Sequence, residues 1–217
     1  MNYLNWSQKT LTDGSSEDIS KMYNNGYVYT RLGKGVMDQT RSVRIDLGKF
    51  QLSSENRRIQ KKISGLELHS LPLPLQEYDW KLGKAAKDFY DTKFGSGIMS
   101  AQKIKEILTS PDKSNFNTLF IYRFSGRDIG HAVCYQNDSL LHYSYPFYDI
   151  SSAPKDMGLG MMLLAIDHAK QIGLKYIYLG SLQRPGDTYK LQFEGLEWFD
   201  GNTWQNDISL AKDILAK

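Results

Sequence analysis

Residues 176–190, YIYLGSLQRPGDTYK, decide the fold predicted for this chain. Large side chains alternate along the first part of the segment, which predicts a buried strand that ends abruptly at Gly180. A polar loop follows, and it carries Arg184, Asp187, Tyr189 and Lys190. Because α/β proteins place binding and catalytic groups just past the ends of buried strands, we interpret this loop as a candidate site.

Three neighbouring side chains of this loop, Asp187, Tyr189 and Lys190, are the candidate catalytic groups. A carboxylate such as Asp187 can orient an incoming amine or accept its proton. An ammonium group such as that of Lys190 can hold a phosphate or a carboxylate. A surface loop without chemistry is the alternative interpretation.

A glycine-rich turn precedes this strand at Lys155-x-x-Gly158-x-Gly160 and leads into the apolar helical run MMLLAIDHAKQIG. Free backbone N–H groups at the start of a helix can hold an anion. The order of strand, glycine turn, helix, strand and polar loop is typical of N-acetyltransferase-like (GNAT-like) folds. In acyl-CoA-dependent members an Arg/Gln-x-x-Gly-x-Gly/Ala turn grips the pyrophosphate, and this chain fits that pattern loosely. An ordinary strand-to-helix turn is the alternative.

Composition limits the class of protein. The chain has 217 residues, of which 41% are hydrophobic and 24% charged, which are ordinary values for a globular protein. We find neither a run of eighteen apolar residues nor an apolar leader, so we expect no membrane partner and a cytoplasmic location. A single cysteine, Cys134, excludes an internal disulfide framework and a cysteine-rich metal site, and we expect no bound metal.

Charge is concentrated near the amino terminus. Residues 31–62 hold nine Lys or Arg against three Asp or Glu, although the whole chain has a net charge of only +3. Ser53 suits the N-cap of a helix whose outer face carries Arg57, Arg58, Lys61 and Lys62. Four cations on one face predict contacts with nucleic-acid phosphates, and a solvated helix face is the alternative. We place a domain boundary at LPLPL, which separates a basic region, residues 1–70, from a transferase-type domain, residues 71–217.

The second half of the chain predicts a sheet. TLFIYRF, IGHAVCYQ and SLLHYSYPFYDI, separated by turn sequences, indicate an antiparallel meander. With the helices, this gives an α/β fold with a mixed, mostly antiparallel sheet. Tyr143, Tyr145 and Tyr178 are candidates to line a pocket, with core packing as the alternative. Earlier in the chain, alternation predicts that Val43, Ile45 and Leu47 face inward. Their neighbours Ser42, Arg44 and Asp46 are predicted to face outward.

These segments, taken in order, resemble the arginyl-tRNA–protein transferase family, including its bacterial leucyl-transferring members. The resemblance covers about 180 residues and rests on five segments: MYNNGYVYTRLG, RSVRIDLGKFQLSSENRRIQKK, FYDTKFGSGIMS, SYPFYDI with MGLG, and YIYLGSLQRPGDTYK. The chain departs from the family at several points. It lacks the cysteine cluster near the amino terminus, and Lys93-Phe94 replaces Arg-His. Asp187-Thr188 replaces Lys-Met, and Ser181 replaces a tyrosine.

The resemblance implies transfer of an amino acid from aminoacyl-tRNA to the free α-amine of a protein or peptide N-terminus, as in N-degron tagging. Aminoacyl-tRNA is then a co-substrate, and no cofactor is required. The implied tRNA-binding residues are Arg57, Arg58, Lys61, Lys62, Lys155, Gly158 and Gly160. The implied substrate-binding residues are Arg31, Tyr143, Tyr145, Tyr178, Gly180 and Ser181. Two alternatives stay open: an N-acyltransferase that uses acetyl-CoA, and a non-catalytic relative that binds tRNA or peptide.

Overall fold

A computed structural model describes residues 4–12 and 14–216 of the chain. The strands are β1 (Ser7–Thr10), β2 (Tyr27–Tyr29), β3 (Val36–Gln39), β4 (Ser42–Asp46), β5 (Leu66–Pro72), β6 (Thr118–Phe124), β7 (Arg127–Gln136), β8 (Leu140–Tyr148), β9 (Tyr176–Ser181), β10 (Leu196–Phe199) and β11 (Trp204–Gln205). The helices are α1 (Ser16–Asn24), α2 (Ser54–Lys62), α3 (Trp80–Phe94), α4 (Ala101–Thr109), α5 (Met157–Gln171) and α6 (Ile208–Leu215), with a 3₁₀ helix, η1 (Pro185–Gln192).

One large sheet organises the molecule. Its eight described strands run in the order β11-β10-β4-β9-β8-β7-β6-β5, and the described chain also forms a small antiparallel sheet, β1-β3-β2. Among the described strands of the large sheet, β8 and β9 form the one parallel pair, joined through α5. This arrangement confirms the predicted α/β fold with a mixed, mostly antiparallel sheet, including the β6-β7-β8 meander.

Both faces of the sheet are covered. On one face α5 and α2 pack over a core that includes Ile45, Phe120 and Ile166. On the other face α1, α3 and α4 enclose a second core rich in aromatic rings, including Tyr23 and Phe89. The sheet is therefore the middle layer of a three-layer arrangement, and polar side chains on either face can be buried.

The prediction that Ser42 and Arg44 face outward is wrong, because the second face of the sheet is covered as well. Val43 and Ile45 are buried as predicted, but Ser42 and Arg44 are buried as well instead of facing outward. The end of α1 lies over them. The Ser42 hydroxyl donates to the Gly26 carbonyl at 2.7 Å, and Arg44 Nη1 donates to Asn24 Oδ1 at 3.0 Å.

The first seventy residues contribute directly to the large sheet. Strand β4 lies between β9 and β10, and β5 pairs with β6 along its whole length. The sheet therefore runs across the boundary placed between residues 70 and 71, which falls inside β5.

Helix α2 packs closely on α5. Its N-cap forms as predicted, with Ser53 Oγ accepting the Asn56 N–H at 3.1 Å. At the crossing, a Cβ atom added to Gly160 would lie 2.8 Å from a methyl group of Ile63, so this glycine permits the close approach. Within residues 4–12 and 14–216, no helix is both long and apolar enough to cross a membrane.

Candidate active site

The candidate site lies where β8 and β9 separate. The two strands pair from Leu140↔Tyr176 to His142↔Tyr178 and then diverge. Each carries a bulge just beyond this point. On β9, two residues stand opposite Val43 of β4, and one of them, Gly180, has φ +78°. A bulge bends its strand, and a glycine in the left-handed region accommodates it without Cβ strain. The β8–β9 pairing stops at these bulges, and we call the place where the two strands diverge the fork.

Lys190 lies at the fork with its ammonium group buried. Its Nζ donates to the Ser181 carbonyl at 2.7 Å and lies 3.6 Å from Asp187 Oδ1. It also lies 3.9 Å from the position that a Cβ of Gly180 would occupy. Burial lowers the pKa of Lys190, whereas the Asp187 carboxylate raises it and the charge of Arg184 lowers it further. The structure therefore brings Lys190, Asp187, Gly180 and Ser181 together, as the sequence suggested.

Asp187 shapes the loop that carries these groups. Its Oδ2 accepts the backbone N–H groups of Gln183 at 2.8 Å and Arg184 at 3.0 Å, and its other oxygen faces Lys190. These contacts fix the entry into η1 in the manner of a helix cap. In this geometry the carboxylate positions Lys190 and the loop, and both of its oxygens are already engaged.

A buried pair lies behind Lys190, and the sequence analysis did not identify it. His142 Nδ1 lies 2.9 Å from the Tyr23 hydroxyl, and that hydroxyl also accepts the Tyr29 N–H at 3.4 Å. Burial, with the nearby charge of Lys190, lowers the pKa of His142 to about 3, so the imidazole is neutral at physiological pH. His142 lies opposite Tyr178 at the last paired position before the fork. Aligning the two predicted strands would have placed His142 next to the candidate site.

The candidate tyrosines do not line one pocket. A bulge in the β7–β8 pairing near Ser144 reverses the strand alternation, so Tyr143 packs in the core beneath α5 while Tyr145 packs in the other core. Tyr178 lies inside that second core, where its ring packs 4.8 Å from Tyr23 and its hydroxyl faces Arg44 Nη1 at 3.4 Å. The idea of a shared tyrosine pocket is therefore wrong, because the bulge and the second layer redirect these rings.

Arg31 lies against the segment between α3 and α4. Its Nη1 donates to the Ile98 carbonyl and contacts Met99 Sδ at 3.2 Å. Burial raises the pKa of Tyr90, whose hydroxyl is within electrostatic range of Tyr145, Arg31 and Tyr189. Tyr90 is a buried group near Arg31 that the sequence analysis missed.

Tyr189 presents two different surfaces. The residue as a whole is 43% exposed, yet burial of its hydroxyl raises the pKa of that group, with smaller contributions from Asp187 and Tyr148. The ring therefore has an open side, and the hydroxyl faces inward and stays protonated at neutral pH.

The cations of α2 are partly engaged by local contacts. Arg58 pairs with Glu55 on the same helix, and Arg57 donates to the Leu52 carbonyl. Lys62 pairs with Asp156 at 2.5 Å, and this contact joins α2 to the start of α5. Lys61 is exposed, as is Lys155 on the neighbouring turn. The basic face thus lies beside the amino terminus of α5, next to the carboxyl end of β8.

The glycine turn belongs mainly to helix packing. Asp156 is the N-cap of α5 with φ +69°, and the Gly160 N–H donates to its carbonyl at 2.9 Å. Gly158 lies in the first helical turn, where a Cβ would stand 3.5 Å from the Tyr148 ring. The carboxylate of Asp156 contributes negative charge at the point where a pyrophosphate would bind.

No metal-binding arrangement of three or more His, Cys, Asp or Glu side chains occurs among residues 4–12 and 14–216. Cys134 lies in the core beneath α5, where burial raises the pKa of its thiol, and His131 stacks on Phe147 at 5.1 Å. These two residues do not form a nucleophile and base pair.

The strand order, the one parallel pair among the described strands of the large sheet and the fork define an N-acetyltransferase-like sheet. No family model matches the chain. Similar proteins named aspartate/glutamate leucyltransferase occur in Methylobacterium sp. (strain 4-46), 29% identical over 64% of this chain, and in Cereibacter sphaeroides (strain ATCC 17029 / ATH 2.4.9), 27% identical over 81% of it. The matches cover 60% and 65% of those proteins, respectively. The chain thus spans less than two thirds of the length of these relatives.

Solved structures show weaker similarity. L-PGS from Bacillus licheniformis has a TM-score of 0.49 and 12% identity, with 93% of this chain and 71% of that chain covered. A GCN5-related N-acetyltransferase from Kribbella flavida has a TM-score of 0.37 and 11% identity, with 65% and 47% covered. Similarities of this size do not establish a shared function, so the fold assignment rests on the strand order.

Proposed function

We propose that this protein transfers an amino acid from aminoacyl-tRNA to the α-amine of a protein or peptide N-terminus. The observation that carries the proposal is the buried Lys190 ammonium group at the fork, in a chain whose relatives are named aspartate/glutamate leucyltransferase. Acyl transfer is accelerated by fixed hydrogen-bond donors or positive charge where negative charge develops on the carbonyl oxygen.

The reaction is aminolysis of an ester. The acceptor nitrogen attacks the carbonyl carbon of the aminoacyl ester, so that a C–N bond forms and the carbonyl oxygen becomes an oxyanion. The bond to the ribose oxygen then breaks, and that oxygen takes up the proton that the amine has lost. Because the ester is already activated, orientation of the two substrates and stabilisation of the oxyanion are the main requirements.

Lys190 stabilises the oxyanion in this mechanism. One of its three N–H groups is used by the Ser181 carbonyl, and the Asp187 carboxylate holds the ammonium group in place. A remaining N–H is available at the fork, beside Gly180, where the absence of a side chain leaves room for substrate. The protonated hydroxyl of Tyr189 is a second hydrogen-bond donor from the same loop.

Arg31 selects the acceptor. Within the described part of the chain both of its hydrogen bonds use Nη1, which leaves Nη2 and Nε for a bidentate contact with a carboxylate. An acidic side chain on the N-terminal residue of the acceptor would accept both of these hydrogen bonds and neutralise the half-buried guanidinium group. The exposed cations of α2, with Lys155, supply contacts to tRNA phosphates close to the fork.

The test is mass spectrometry of short peptides incubated with the protein and a fully charged tRNA pool, with a parallel reaction that contains acetyl-CoA instead. Addition of an amino-acid residue to peptides that begin with Asp or Glu is the expected result. Lys190→Met should lower the transfer rate by about 100-fold, the usual cost of removing an oxyanion donor. Lys175→Met is the matched control and should keep the wild-type rate, because Lys175 is an exposed lysine that directly precedes β9.

Arg31→Gln should remove the preference for acidic N-termini while transfer to other peptides persists. An acetyl increment found only with acetyl-CoA would overturn the proposal in favour of an acyl-CoA transferase. An absence of any increment would leave the fold assignment intact and refute aminoacyl transfer to these acceptors.

A further inference from the structure

We propose that Phe94 and Arg184 form a stacking platform for the unpaired base at the 3′ end of an RNA substrate. The inference rests on the proposed function and assigns to it a base-binding subsite that the sequence analysis did not identify. A platform of this kind would hold the end of the RNA that carries the ester beside the fork.

The geometry of this pair supports the inference. Phe94 is the last residue of α3, and it remains 47% exposed. Its inner side packs on Tyr90 at 5.6 Å and on Phe89 at 6.3 Å between ring centroids. The guanidinium carbon of Arg184, from the loop before η1, lies 5.2 Å from the centre of the Phe94 ring. A flat cation and a flat ring thus lie together at the surface, with the ring supported from behind.

The surroundings of the pair are open. A Cβ added at Gly95, Gly97 or Gly186 would meet no atom within 4 Å. Gly95 directly follows Phe94 and Gly186 lies two residues after Arg184, so the backbone next to each member of the pair has open space beside it. A planar base fits such a space because stacking needs a flat, supported surface with room on one side.

Charge complementarity favours a nucleic acid over an apolar side chain. Lys93 precedes Phe94 and is exposed, and Arg184 is exposed as well. Of the neighbouring carboxylates, Asp91 pairs with Lys87 through Oδ2 while its Oδ1 is buried, and Asp187 lies beside Lys190. Cations beside an exposed aromatic ring are the combination by which proteins hold single-stranded nucleic acids, through phosphate contacts and base stacking.

The platform is connected to the candidate active site through one layer of rings. Phe89, which supports Phe94, packs on Tyr148 at 4.8 Å, and Tyr148 is the last residue of β8. Arg184, the other member of the platform, directly precedes η1. A base bound on Phe94 is therefore close to the loop that carries Lys190.

The test compares binding of three uncharged RNA minihelices that end in a single-stranded CCA tail. One is intact, one has an abasic sugar at the terminal position, and one lacks the terminal nucleotide. Wild-type protein should bind the intact RNA about tenfold more tightly than the abasic one, because stacking depends on the base and not on the phosphate. Phe94→Ala should remove this difference, and Phe94→Trp should retain it.

Two further variants separate stacking from charge and from general loss of an exposed ring. Arg184→Lys should reduce the preference for the intact RNA while the salt dependence of binding stays unchanged. Trp80→Ala removes an aromatic side chain that is 65% exposed at the opposite end of the same helix, and it should behave like wild type.

Equal binding of the intact and abasic RNAs by wild-type protein would overturn the platform, as would a preference that survives Phe94→Ala. Because uncharged RNA is used, the outcome does not depend on transfer. Transfer without base discrimination would refute the platform alone, and base discrimination without transfer would refute the proposed reaction alone.

Discussion

Replacing His142 by Asn should weaken the dependence of stability on acidic pH. His142 is buried beneath the fork, where its imidazole is hydrogen-bonded to Tyr23 and faces the charge of Lys190. An Asn side chain can accept the same hydrogen bond through its amide oxygen, and it carries no titratable group. The variant therefore removes the titration while it keeps the contact with Tyr23.

The sign follows from the direction of the pKa shift. Burial lowers the pKa of His142 from 6.5 to about 3 in the folded protein. Between these values the unfolded chain binds a proton that the folded chain does not, so stability falls as pH falls through this window. The stabilising effect of the neutral form is complete above pH 6.5 and is lost progressively toward pH 3.

The magnitude can be worked out at pH 5. Proton linkage gives a loss of about 2 kcal/mol between pH 7.5 and pH 5 from this residue alone. The figure changes little if the folded pKa is one unit higher, because pH 5 still lies above it. His131, whose pKa burial lowers to about 4, contributes a similar loss of about 2 kcal/mol at the same pH.

Urea unfolding at pH 7.5 and pH 5 measures the effect as a difference between two free energies of unfolding. His131 and half-buried His168, whose pKa burial also lowers, contribute equally to both proteins, so His142→Asn should lose about 2 kcal/mol less than wild type over this interval. His69→Asn is the matched control, because His69 is exposed on β5 and its replacement should leave the loss unchanged. An undiminished loss in His142→Asn would refute the reasoning.

Three other predictions concern stability. Gly160→Val should lower the free energy of unfolding by about 2 kcal/mol through overpacking against Ile63, and Ile63→Ala in the same chain should recover part of it; denaturant unfolding of both variants measures this. Arg44 lies between two aromatic rings and pairs with Glu197 at 2.8 Å. Arg44→Met should lower the free energy of unfolding by about 3 kcal/mol, because it leaves the Glu197 carboxylate without its partner. Adding Glu197→Gln should restore much of this loss, as a double-mutant cycle would show. Gly180→Ala should cost about 1–2 kcal/mol because of its positive φ, and a thermal midpoint equal to wild type would contradict the bulge geometry.

Patterns of neighbouring residues predicted most of the secondary structure. The segments assigned to β6, β7, β8, α5 and β9 form the expected elements in the expected order. Alternation and helical periodicity can be read from neighbouring residues, because each element needs apolar side chains on the face that it buries. The same rule gave a wrong prediction for Ser42 and Arg44, because alternation assumes that one face of a strand meets solvent.

The candidate site was predictable only in part. Placing Lys190, Asp187 and Gly180 together needed little more than the proximity of the loop to the strand end. His142 and Tyr90 were not predictable in this way, because the residues that bury them lie far away in the sequence. The engagement of Lys62 by Asp156 is another contact that no local pattern specifies.

The sequence by itself determined the elements, their order and the loop that holds the candidate chemistry, since these depend on the spacing of apolar, glycine and charged residues. Only the tertiary structure decided where β8 and β9 separate, which face each tyrosine takes and which cations remain available. The physical reason is that bulges, burial and ion pairs arise between residues distant in the chain. Lys190 is one charged residue among many in the sequence, and the fork gives it a buried ammonium group beside an open strand end.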